Sequence, residues 1–165
     1  MSDSLESEVA AMLVKARLRL AIADAASVGR IADRLTSVAG SSAFFVGGIE
    51  PYHNAPKIAV LGIPEALLQQ HGAVSRPAAR AMAEGARRLF NADIGLAATG
   101  VLGPGGGSDT KPVGLIYIAV ATPWGTRSRR AVFNGSRERN KSAFARASLL
   151  LLRSALIDVA GSPTQ

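Results

Sequence analysis

Residues 93–98 and 113–121 are two apolar runs of strand length, and the loop between them holds five glycines in the eight residues 100–107. A strand that is apolar on both of its alternating faces has to be covered from both sides. Chains meet that demand by laying helices on each face of a sheet. Val9, Met12, Leu13 and Ala16 recur at helical spacing over residues 6–18, and Ile31, Leu35 and Val38 do so over residues 25–38, where Gly40 can end the helix. Residues 54–60 and 63–68 read as short helices, the second opened by Pro64. Ser75 is a natural N-cap for a helix to Phe90, with Pro77 tolerated in its first turn. Phe144, Leu149, Leu152 and Leu156 form the inward face of a long helix over residues 137–159. Residues 18–23, 42–49 and 129–133 supply further strands. The expected fold class is α/β, a three-layer α/β/α sandwich around a mixed sheet, as a single domain over residues 1–165.

Composition narrows the chemistry. The 165 residues are enough for one sizeable core. There is no cysteine, which excludes disulfides, thiol nucleophiles and Cys-ligated metals. The two histidines, His53 and His71, lack metal-site spacing, so no metal and no cofactor are expected. Residues 1–8 are acidic and polar, unlike a signal peptide, and no apolar run is long enough to span a bilayer. A soluble, cytoplasmic protein is the expectation. The formal net charge is +7, and residues 111–165 hold nine basic side chains against two acidic ones. A basic surface of this kind draws phosphates, on a small ligand or on nucleic acid. With 5% aromatic residues and no recognition motif, nucleic acid is the weaker reading.

Two segments carry candidate chemistry. The glycine loop, from Thr99 and Gly100 through Gly103, Gly105 and Gly106, lets backbone approach a ligand closely and can turn its N–H groups onto an anion. It lacks the Gly-Lys-Ser/Thr of a Walker loop, and a strand rather than a helix follows it. The plainer reading is a surface loop. The second segment joins Ser42, Tyr52, His53, Asn54 and Lys57. A serine needs a base to become a nucleophile, and a lysine with a lowered pKa can be one. The plainer reading there is a helix cap and an exposed lysine.

These segments, together with the run Gln70-His71-Gly72-Ala73-Val74-Ser75 and the Lys111-Pro112-Val113-Gly114 that follows the loop, resemble the CinA C-terminal domain family. The likeness runs over roughly residues 8–157. Enzymes of that family hydrolyse the carboxamide of nicotinamide mononucleotide to nicotinate mononucleotide and ammonia, without a metal. The resemblance implies Ser42 as nucleophile, Lys57 as its base and Tyr52 as proton relay, with Asn54 orienting the site. It further implies that Ser27, Thr99, Gly100, Gly103, Gly105 and Gly106 line the ligand pocket and that Arg137 meets the phosphate. It suggests a homodimer or higher homo-oligomer.

Three departures accompany the likeness. Where the family has Ala-Glu-Ser-Cys-Thr-Gly-Gly, this chain has Ala23-Asp24-Ala25-Ala26-Ser27-Val28-Gly29. Glu50-Pro51 precedes Tyr52, and Ser136 replaces an aspartate before Arg137. Two functional readings follow: an amidohydrolase of nicotinamide mononucleotide, or a catalytically degenerate relative that binds a nucleotide or a partner protein.

Overall fold

The computed structural model describes residues 4–161. The elements in chain order are α1 (Leu5–Ala16), β1 (Leu20–Asp24), α2 (Arg30–Thr36), β2 (Phe45–Ile49), α3 (Asn54–Ala59), α4 (Glu65–His71), α5 (Arg76–Leu89), β3 (Ile94–Gly100), β4 (Leu115–Thr122), β5 (Gly125–Val132) and α6 (Arg137–Gly161). The five strands form one sheet in the order β2-β1-β3-β4-β5. β1 runs parallel to β2 and β3, and the remaining pairs are antiparallel, so the sheet is mixed. The fold is an α/β domain with helices on both faces.

Side-chain size alternates along the central strands and decides which helix packs where. Leu20 and Ile22 of β1, Ile94 and Leu96 of β3, and Ile116 and Ile118 of β4 face α1, α2 and α6, where they meet Leu13, Phe144 and Leu149. Ala21, Ala23, Ala97 and Ala119 face the other way, against Ala79, Met82 and Ala83 of α5. Small residues on that face let α5 lie close to the sheet: a Cβ on Gly95 would overlap the Ala83 carbonyl. Each fully buried Leu or Ile on the larger face contributes about 1.5–3 kcal/mol.

Helix α2 and strand β2 begin several residues later than the sequence predicts. Helix α2 starts at Arg30 rather than Ala25, because the Asp24 carboxylate gathers residues 26–29 into a turn. β2 starts at Phe45 rather than Ser42, since Ser41–Ala43 close a single 3-10 turn. β5 is longer than expected and begins at Gly125, where the β4–β5 hairpin closes.

Candidate functional site

From β1 the chain crosses through α2 to β2 on one side, and from β2 through α3–α5 to β3 on the other. Crevices outside the carboxyl ends of strands at such a reversal are the habitual ligand sites of α/β sheets. A cavity of about 300 Å³ lies there, lined by Ala25 after β1, by Tyr52 and Lys57, by Ala73 and Val74 before α5, by residues 99–103, 105 and 106, and by Arg137. Its ionisable lining is cationic or phenolic: Lys57, Arg137 and Tyr52, with no carboxylate among them. Ala25, Ala73, Val74, Val101 and Leu102 supply an apolar wall. Such a pocket suits a small anion that also carries an apolar ring.

The glycine loop is firmly tied. Arg137 Nη1 donates to the Gly103 carbonyl at 2.8 Å, and Asn140 Nδ2 donates to the Leu102 carbonyl at 2.9 Å. Thr99 Oγ1 donates to the Ala73 carbonyl at 2.8 Å, joining β3 to the segment that leads into α5. Lys111 Nζ donates to the His71 carbonyl at 3.0 Å, at the loop's far end. Gly114 has φ +85°, and a Cβ there would overlap the Phe133 carbonyl, so the Pro-Val-Gly that closes the loop has room only for glycine.

Lys57 is 2% exposed. Its Nζ donates to the carbonyls of Pro51 at 2.6 Å, Tyr52 at 3.3 Å and His53 at 3.4 Å. Burial pushes its ammonium below the ordinary lysine range. Three carbonyl acceptors match the three donors of an ammonium, so Lys57 fixes the Tyr52 loop as well as lining the cavity. Tyr52 is 58% exposed, and its hydroxyl accepts from Arg137 Nη2 at 3.5 Å.

Asp24 organises the opposite rim. One carboxylate oxygen accepts from the N–H of Ala26 at 3.1 Å and of Ser27 at 2.7 Å. The other accepts from the Ser27 hydroxyl and from the Gly29 N–H at 3.1 Å. Val28 and Gly29 both sit in the left-handed region, at φ 53° and 85°.

The structure brings together Tyr52, Lys57, Thr99, Gly100, Gly103, Gly105, Gly106 and Arg137. It does not bring in three others. Ser27 is buried with its hydroxyl on Asp24, outside the pocket lining. Asn54 is exposed at the first position of α3, also outside the lining. Ser42 is exposed in the turn before β2, whose residue Phe44 pairs with Leu20 at the amino end of β1. The five residues of β2 at about 3.3 Å each then separate it from the pocket. Lys57 therefore has no reach to Ser42, and the expected dyad does not form. Ala25 lines the same cavity as Lys57. Asp24 and Asn140 are the residues the sequence reading passed over. An aspartate at the end of an apolar strand followed by small residues signals such a turn, whereas nothing local distinguishes Asn140 within its helix.

The CinA C-terminal domain model matches residues 2–156. The chain belongs to the CinA C-terminal domain family. It is 47% identical over 152 residues to a CinA-like protein of Syntrophus aciditrophicus, covering 92% of this chain and 36% of that protein. It is 44% identical over 154 residues to a putative competence-damage inducible protein of Caldicellulosiruptor bescii, covering 93% and 38%. The chain thus spans little more than a third of the length of the curated relatives it matches. Among solved structures, the competence/damage inducible protein of Agrobacterium tumefaciens superposes with a TM-score of 0.85 at 35% identity, covering 94% of this chain and 99% of that one. A CinA superfamily protein of Klebsiella pneumoniae 700603 gives 0.90 at 29% identity, covering 93% and 96%. Among the described residues no helix is long and apolar enough to cross a membrane.

Proposed function

We propose that this CinA-family domain binds nicotinamide mononucleotide or a closely related phosphorylated pyridine nucleotide in the pocket between Ala25, Lys57 and the glycine loop, and does not hydrolyse it through a serine. The observation that carries this reading is Ala25. It stands in the pocket with the buried Lys57, at the position where the family's usual motif has serine, and a methyl group cannot attack a carboxamide. The binding half of the site is supported by other residues. Arg137 offers a guanidinium to a phosphate, and the apolar wall offers a surface to a flat ring.

A second reading is amide hydrolysis, giving nicotinate mononucleotide and ammonia. The lowered pKa of Lys57 favours it, because a desolvated lysine gives up its proton more readily and, once neutral, can serve as base for an attacking water. Isothermal titration with nicotinamide mononucleotide tests the binding reading. Saturable binding weakened by Arg137→Ala and Val101→Asp supports it. No heat of binding at millimolar nucleotide rejects it. An ammonia assay on the same samples separates binding from turnover.

A further inference from the structure

The geometry points to the outer edge of β5, between Arg130 and Val132, as a docking edge for an extended acidic peptide segment that joins the sheet as a sixth strand. β5 is a sheet edge. Phe133 N–H donates inward to the Gly114 carbonyl at 3.0 Å, so odd-numbered residues turn their backbone groups toward β4 and even-numbered ones turn theirs outward. The outward carbonyls of Thr126 and Ser128 are already covered from α5. Arg80 Nη1 donates to Thr126 O at 2.6 Å, and Arg76 Nη1 donates to Ser128 O at 3.3 Å. Glu84 adds a bond from the Thr126 hydroxyl at 2.8 Å. Natural sheets close their edges by such means. The two arginines close only the first half of this one. Among the described residues, the outward groups of Arg130 and Val132 have no partner.

Beside that open half lies a groove of about 220 Å³ between β5 and α6. Its floor is Ala131, Phe133, Ala143, Ala147 and Leu150, and its walls carry Arg129 and Arg146. Neither arginine has an ion-pair partner among the described residues, and no acidic side chain lines the groove. Arg130 projects to the opposite face of the same edge. A strand added here places alternate side chains on the two faces. Both faces present guanidinium, and one adds an apolar slot. The matching segment alternates carboxylate with aliphatic residues. A second copy of this chain is a poor occupant, because β5 against β5 sets arginine against arginine. The inference is independent of the nucleotide pocket: Arg137 lines that pocket from the start of α6, the groove residues Ala143, Arg146, Ala147 and Leu150 follow it along the helix, and the two sites share no lining residue.

The probe is a labelled hexapeptide alternating glutamate and valine, titrated into the full chain at low salt, with amide shifts followed by NMR. Binding is expected, with the largest shifts at residues 129–133 and slowed exchange of the Arg130 and Val132 amides. Arg129→Glu with Arg146→Glu is expected to weaken it at least tenfold. Val132→Pro removes one outward N–H without touching the β4 ladder and is expected to weaken it comparably, with circular dichroism confirming the fold. Equal binding of a lysine-valine hexapeptide overturns the proposal. So do shifts elsewhere, dimerisation through β5 by sedimentation, or tighter binding of a single-stranded oligonucleotide at the same residues.

Discussion

Arg137 reaches back from the first turn of α6 to donate to the carbonyl of Gly103 at 2.8 Å, and this bond makes one side chain both part of the cavity lining and a clasp on the glycine loop. Its second nitrogen meets Tyr52 across the cavity. Arg137→Ala removes a charge-assisted bond worth about 1.5–3 kcal/mol. Nucleotide affinity should fall by at least tenfold by titration calorimetry. Arg137→Lys should recover part of the charge contribution but not the bond geometry.

Asp24 takes four donors from the turn that follows β1, and it is 1% exposed. Removing it leaves buried N–H groups without acceptors. Asp24→Ala should destabilise the domain by about 3 kcal/mol in urea unfolding. Ser27→Ala should cost less, because three of the four donors remain.

Val28 is a β-branched residue at φ 53°, a conformation that costs an L-residue about 1–2 kcal/mol. Its side chain is 41% exposed, so little packing offsets that cost. Val28→Gly should stabilise the fold by about 0.5–1 kcal/mol after the added freedom of the unfolded chain is counted. An unchanged or lower urea midpoint would show that the valine contributes more packing than its exposure suggests.

The lowered pKa of Lys57 makes a signed statement about alkaline pH. Below its folded value both states carry the proton, and the burial penalty is fully present. Between the folded value and the unfolded value of about 10.4, the unfolded chain holds more protons, so this group's contribution to stability rises with pH. The stability difference between the parent and Lys57→Met should therefore shift in the parent's favour as pH climbs toward 10.4. A pH-independent difference would mean that the three carbonyls hold the ammonium fully charged.

Most of the fold was legible because its signals are local. The apolar runs of β3 and β4, the Ser75 cap and the apolar stripe of α6 each declare an element within a few residues. The site was legible only in part. Tyr52, Lys57, the glycine loop and Arg137 converge, although they come from three separate segments. Ser42 and Lys57, which the resemblance pairs, are close in sequence and lie apart in the fold. A five-residue parallel strand lies between them and carries the chain from one end of the sheet to the other. Ser27, which the resemblance implies as a pocket residue, has a partner for its hydroxyl that the resemblance does not show. The buried Asp24 three residues earlier is that partner.

The most direct measurement is ammonia release from nicotinamide mononucleotide by the parent chain and by Ala25→Ser, with binding followed on the same samples. The parent is expected to bind the nucleotide and to release no ammonia above background. Ala25→Ser, which returns a hydroxyl to the pocket that Lys57 lines, is expected to gain release that Lys57→Met abolishes. Catalytic ammonia release by the parent, surviving in Ser42→Ala, would contradict this.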